Sequence, residues 1–167
     1  MSEQNILYYE HSFSLLSELA YRLTASGMNA ATAESCTGGL VSALFTSIPG
    51  SSEWFRGGVV AYDNAVKQNL LGVPLSLLEQ FGAVSEETAK AMAAGARKLL
   101  GVECALAVTG IAGPGGGSPE KKVGTVCFAW DIKGNVSSIT RRLNGSRREV
   151  RMAAVDVAVR GLLERLV

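Results

Sequence analysis

Residues 104–108 read Cys-Ala-Leu-Ala-Val, without one polar side chain. A strand with one wet face would alternate apolar and polar residues. A continuous apolar run belongs to a strand covered on both faces, and that demands helices above and below the sheet. The rest of the chain supplies them. Leu15, Leu16, Leu19 and Leu23 recur at helical spacing between about Glu10 and Ser26, and Gly27 ends the pattern. Met28 to Ala33 is short and small-sided, as a strand with close neighbours would be. A helix is expected from near Thr37 through Leu40 to Phe45. Gly57 to Tyr62 holds a short buried strand. Asp63 or Asn64 can cap the helix that follows through Leu71, with Gly72 after it.

Ser85 caps the clearest helix. Glu86 and Glu87 lie in its first turn, Met92, Ala93, Ala96, Leu99 and Leu100 form one face, and Gly101 stops it. Val123 to Trp130 reads as a strand, paired with Val136 to Arg142 across Lys133-Gly134-Asn135. Arg147 to Leu166 closes the chain as a helix carrying Val150, Ala154, Val157 and Leu162. Helices alternating with apolar strands give a single-domain, layered α/β/α fold. The late hairpin makes the sheet mixed, and the remainder is expected to be largely parallel.

A chain of 167 residues fits one domain over 1–167, with no repeat and no internal linker. With 47% hydrophobic and 19% charged residues it can bury a core, so disorder is excluded. A net charge of +1 gives no global field to attract nucleic acid or a membrane surface. Cys36, Cys104 and Cys127 are odd in number and far apart, which fits a reducing compartment rather than a disulfide framework. No Cys or His cluster offers a metal site. The N-terminus lacks the pattern of a signal peptide, and no apolar run approaches the roughly 20 residues of a membrane span. A cytoplasmic location is expected.

The residues that carry chemistry concentrate between Ala33 and Lys67. Ser35, Thr37, Ser51, Ser52, Tyr62 and Lys67 lie there, and the only histidine is His11, read as incidental surface polarity. Hydroxyls ending in a tyrosine and a lysine, without imidazole, suggest an amide- or ester-cleaving enzyme whose serine is activated by lysine. Each member also has a plainer reading. Ser35 or Thr37 can simply cap a helix, Ser51 and Ser52 follow Pro-Gly as turn residues do, and Lys67 can be a solvated helix lysine. The run Thr109-Gly110-Ile111-Ala112-Gly113-Pro114-Gly115-Gly116-Gly117 follows a buried strand directly, where ligands of open α/β sheets bind. It matches neither the Walker nor the dinucleotide spacing, so it is a phosphate loop or a flexible turn. Arg141, Arg142, Arg147, Arg148 and Arg151 form a basic group, with Arg147 at a helix start that can face an anion.

Several motifs occur in one order: AESCTGG (33–39), PGSSEWFRGGVVAYDNAVK (49–67), LGV (71–73), GAVS (82–85), VTGIAGPGGG (108–117), VGTV (123–126) and NGSRREVR (144–151). From about Ala30 onward the chain resembles the CinA C-terminal domain family, which includes stand-alone nicotinamide-nucleotide amidases. Residues 1–9 fall outside the pattern and are expected to be a peripheral extension. The separate N-terminal domain of many CinA proteins is not expected. The resemblance implies hydrolysis of the carboxamide of nicotinamide mononucleotide to nicotinate mononucleotide and ammonia, with no cofactor and no metal. It implies that Ser35, Ser52, Tyr62, Lys67 and Thr109 belong to the pocket. The serine nucleophile, Ser52 rather than Ser35 by a slight preference, would be activated by Lys67, and Tyr62 would orient Lys67 or assist proton transfer. Amides near Ser35–Gly39, or near Ser52, would hold the oxyanion, with Thr37 and Gly38 binding the substrate. Thr109, Gly110, Gly113, Gly115, Gly116 and Arg147 would receive the ribose phosphate. The expected partners are this small molecule and further copies of the chain in a homo-oligomer, with neither nucleic acid nor membrane. A non-catalytic nucleotide-binding or regulatory module, linked to competence or DNA damage, is the alternative.

Overall fold

The computed structural model describes the backbone of residues 3–166 and the side chains of residues 14–166. Five strands form one mixed sheet: β1 (Ala30–Glu34), β2 (Phe55–Val60), β3 (Cys104–Gly110), β4 (Thr125–Ile132) and β5 (Asn135–Arg142). Their order across the sheet is β2-β1-β3-β4-β5. The pairings of β1 with β2 and with β3 are parallel, and those of β4 with β3 and β5 are antiparallel.

The apolar run 104–108 occupies the central strand, where every residue is buried. Cys104, Leu106 and Val108 join one core, and Ala105 and Ala107 join the other. The first core is covered by α1 (Glu3–Ala25), α2 (Leu40–Phe45) and α6 (Arg147–Arg165), through Leu16, Leu19, Phe45 and Leu162 among others. The second is covered by α3 (Asn64–Asn69), α4 (Leu75–Phe81) and α5 (Glu86–Leu100), led by Leu78, Met92 and Ala96. The three layers expected from the sequence are therefore present.

Local signals set the ends of these elements. Ser85 Oγ accepts the amide of Thr88, and Gly101 ends α5 in the left-handed region at φ 61°. Ser146 and Glu149 form a reciprocal capping box at the start of α6. The β4–β5 turn places both Lys133 and Gly134 at positive φ, the geometry that matches strand twist. α1 begins at Glu3, earlier than the leucine pattern indicates, so residues 3–9 are its first turns. The side chain of His11 lies outside the described residues. α4 was not anticipated; it is seven residues long, and Leu75 at its start is exposed, so it shows little periodicity.

Among parallel strands in the order β2-β1-β3, the direction of chain progression reverses between β1 and β3. Their carboxyl ends open a crevice there, the place where open α/β sheets bind ligands.

Candidate active site

β1 ends at Glu34, and its carboxylate is fully buried. It accepts the amides of Gly39 (2.9 Å), Val41 (3.0 Å) and Ser42 (2.8 Å) and the hydroxyl of Ser42 (2.7 Å). A buried charge is tolerable only with such bonds around it. The chain thus supplies its own anion to the start of α2. The amide of Ser35 is given to Val108 O, that of Gly38 to Ser35 O and that of Leu40 to Thr37 O. This corrects the expectation that the whole Ser35–Gly39 run can hold an oxyanion. Only the amides of Cys36 and Thr37 stand outside this network.

Past the end of β2, Asp63 caps α3 by accepting the amide of Ala65. Lys67, one turn on, is 1% exposed rather than solvated. Its Nζ donates to the main-chain carbonyl of Tyr62 at 3.0 Å. No carboxylate forms a salt bridge with it among the described residues. Burial holds its pKa below the usual lysine value, and the nearby Asp63 and Cys36 only partly oppose this. The Tyr62 ring is 62% exposed, and its hydroxyl accepts from Arg147 Nη2 at 3.3 Å. Lys67 is therefore oriented by the backbone of Tyr62, not by its phenol.

α6 brings two guanidinium groups to the same end of the sheet. Arg147 Nη1 donates to Gly113 O at 2.8 Å, and Arg151 Nη2 donates to Thr37 O at 2.8 Å. They are one helical turn apart, on one face. Neither forms a salt bridge among the described residues. Thr37 Oγ1 and Arg151 Nε are also the buried side-chain polar atoms left without a partner there. The Cys36 thiol beside them is pushed up to about 12, chiefly by burial, with Glu34 adding to the rise and Arg151 and Arg147 opposing it.

The glycine-rich segment is used less than the sequence suggested. Thr109 donates its hydroxyl to Ala83 O at 2.7 Å, toward the α4–α5 junction. A Cβ on Gly110 would stand 2.8 Å from the Val126 side chain, so close strand packing explains that glycine. Gly113 offers its carbonyl to Arg147, whereas Gly115 and Gly116 are exposed beyond it. Ser52 lies in the one-turn 3-10 helix Ser51–Glu53, before the amino end of β2. Its own chain thus brings Ser35, Cys36, Thr37, Tyr62, Lys67, Gly113, Arg147 and Arg151 to one end of the sheet, and holds Ser52 at the other.

Two contributors stand in motifs the sequence points to but without a role of their own there: Glu34, which shapes the turn, and Arg151, which reaches it from α6. The four-residue spacing of Arg147 and Arg151 was the available signal. A buried lysine, and two arginines without salt bridges among the described residues, thus share one end of the sheet with Ser35, groups of the kinds that move protons and bind anions.

Comparison with known proteins agrees with this fold. The CinA C-terminal domain family matches residues 12–166, and the chain belongs to that family. It is 49% identical over 163 residues to a CinA-like protein of Mycolicibacterium paratuberculosis, covering 95% of this chain and 37% of that protein. A CinA-like protein of Leptospira interrogans is 56% identical over 117 residues, covering 70% of this chain and 28% of that protein. The chain thus spans 28% to 37% of the length of these curated relatives. Among solved structures, competence damage-inducible protein A (ComA) from Klebsiella pneumoniae superposes with a TM-score of 0.90 at 35% identity, over 93% of this chain and 96% of that one. Competence/damage inducible protein CihA from Agrobacterium tumefaciens gives 0.87 at 44% identity, over 90% and 93%. Among the described residues no helix is long and apolar enough to cross a membrane.

Proposed function

We propose that this domain is a nicotinamide-nucleotide amidase, hydrolysing the carboxamide of nicotinamide mononucleotide to the carboxylate and ammonia. The observation that carries the reading is Lys67: almost fully buried, held by the Tyr62 carbonyl, and without a salt bridge to a carboxylate among the described residues. A lysine whose charged form is disfavoured by burial gives up its proton more readily than a solvated one, and its free amine can then act as a base. In the proposed reaction a serine hydroxyl gives its proton to Lys67 Nζ, and its oxygen bonds to the carboxamide carbon. The carbon–nitrogen bond breaks as Lys67 returns that proton to the leaving nitrogen. Water then hydrolyses the ester. The amides of Cys36 and Thr37 are the donors proposed for the developing oxyanion. Arg147 and Arg151 are proposed to receive the phosphate, which favours guanidinium groups with no carboxylate of their own.

Ammonia release from nicotinamide mononucleotide, nicotinamide riboside and nicotinamide tests the reading. Turnover of the mononucleotide, lost in Lys67→Ala while the circular dichroism spectrum is kept, supports it. Wild-type turnover in Lys67→Ala refutes the lysine mechanism, and equal turnover of all three compounds refutes the phosphate site.

A further inference from the structure

Two hydroxyls stand behind the Glu34 carboxylate. Thr32 and Glu34 are two residues apart on β1, so their side chains leave the same face of the sheet. α2 brings Ser42 to both. Ser42 Oγ donates to Glu34 Oε1 at 2.7 Å, and it lies 2.7 Å from Thr32 Oγ1. A hydroxyl has one proton to give. That of Ser42 goes to the carboxylate, so Thr32 is the donor in the other contact. The direction of the chain is thereby fixed: Thr32 O–H to Ser42 Oγ, then Ser42 O–H to Glu34. Each bond polarises the next.

β2 makes room for this chain. Gly58 is the register partner of Thr32. A Cβ there would collide with both Thr32 Oγ1 and Ser42 Oγ. Gly58 does not lie at positive φ, so space for the two hydroxyls, not backbone freedom, accounts for the glycine. Glu34 in turn faces both halves of the proposed site. Its side chain holds the amides of Gly39, Val41 and Ser42, and with them the turn that presents the Cys36 and Thr37 amides. Its main-chain carbonyl accepts the amide of Ala61 at 2.8 Å. Ala61 adjoins Tyr62, whose carbonyl holds Lys67 Nζ. A tilt of Glu34 therefore moves the oxyanion donors relative to the lysine.

Resting on the amidase reading, we infer that Thr32 and Ser42 are positioning residues of the reaction. Acting through Glu34, they fix where the Cys36 and Thr37 amides stand relative to Lys67 Nζ. Neither residue meets the substrate. The guanidinium groups proposed for the phosphate come from α6, which takes no bond from the Glu34 side chain. The hydroxyl chain therefore acts on turnover more than on substrate binding. A displacement of about 1 Å at the reacting groups can cost about a hundredfold in rate, so a loosened carboxylate suffices to lower kcat.

Steady-state ammonia release from nicotinamide mononucleotide, together with amide hydrogen exchange, tests the assignment. Thr32→Val keeps the side-chain shape and removes the hydroxyl. Its kcat should fall about tenfold while KM stays within about threefold, with the circular dichroism spectrum kept. Thr32→Ser returns the hydroxyl and should return kcat to near the wild-type value. Ser42→Ala removes the middle link and should lose at least as much as Thr32→Val. In a Glu34→Gln background Thr32→Val should cost little more, because the chain then has no carboxylate to orient. Exchange at the Gly39, Val41 and Ser42 amides should be faster in Thr32→Val than in wild type. Wild-type kcat in both Thr32→Val and Ser42→Ala overturns the inference. So does an equal loss in Thr32→Val and Thr32→Ser, and so does unchanged exchange at the three amides. A wild-type protein that releases no ammonia from the mononucleotide overturns the amidase reading itself, and the inference with it.

Discussion

Lys67 is held by the peptide carbonyl of Tyr62, at 3.0 Å, and not by the phenol that the sequence offers five residues earlier. Tyr62→Phe therefore preserves the Lys67 contact. It removes only the acceptor used by Arg147 Nη2. Turnover at saturating substrate should stay within about fivefold of wild type, because an exposed bond from a guanidinium contributes about 1 kcal/mol or less. Lys67→Ala should lower it by about a hundredfold or more, the range of a lost proton-transfer group. Steady-state ammonia release from the two variants separates these roles.

The lowered pKa of Lys67 has a defined sign in stability. The folded protein releases the lysine proton before the unfolded chain does. Between the folded value and the usual 10.5 the unfolded state binds more protons, so stability from this group rises with pH across that window. Below the window the buried cation is a standing cost. Lys67→Met should raise the melting temperature most at pH below the lowered folded value, and the gain should shrink as pH approaches 10.5. Thermal unfolding of both proteins across that range reads the difference. Activity of the wild type should rise with pH through the same lowered pKa.

Glu34 accepts from four donors, of which the Ser42 hydroxyl also lies 2.7 Å from Thr32 Oγ1. Glu34→Gln replaces one acceptor oxygen with an amide that faces donors. The expected loss is about 2–3 kcal/mol, the scale of bonds to a buried charged group. Urea unfolding measures it. Because the same bonds shape the turn from Ser35 to Gly39, turnover should fall as well.

Arg151 binds Thr37 O and carries no counter-ion among the described residues. Arg151→Ala should raise KM for a phosphorylated substrate about tenfold to a hundredfold, with a smaller change in kcat. A substrate without phosphate should show little change in KM. Steady-state kinetics with the mononucleotide and the riboside checks this.

Cys36 lies among the pocket residues, yet its thiol stays protonated well above neutral pH. Thiolate is the reactive form. Iodoacetamide at pH 7 should leave activity intact, and Cys36→Ala should retain turnover. Inactivation kinetics and mass spectrometry of the labelled protein decide the point.

The layered fold was legible because its signals are local. Cys104–Val108 names the buried strand, Gly27 and Gly101 stop helices, and Ser85 starts one. The membership of the site was partly legible. Lys67 and Arg147 stand out by type, but burial of Lys67 depends on the cover formed around it once α3 packs onto the sheet. Glu34 looked like one more charge in a polar motif, since its four donors arrive only when the chain turns back into α2. The position of Ser52 was illegible for a different reason. A separation of fifteen residues from Lys67 does not say which end of the intervening strand each occupies.

The Glu34 carboxylate has a consequence for how ligands meet this protein. Many anion sites remain loose until their anion arrives, and binding must then order the loop. Here the loop after β1 is wrapped around an internal carboxylate. Its shape is complete before any substrate is present, so ligand association should draw little from the ordering of that segment. Hydrogen exchange at Gly39, Val41 and Ser42 should be slow in the empty protein and change little when the pocket fills.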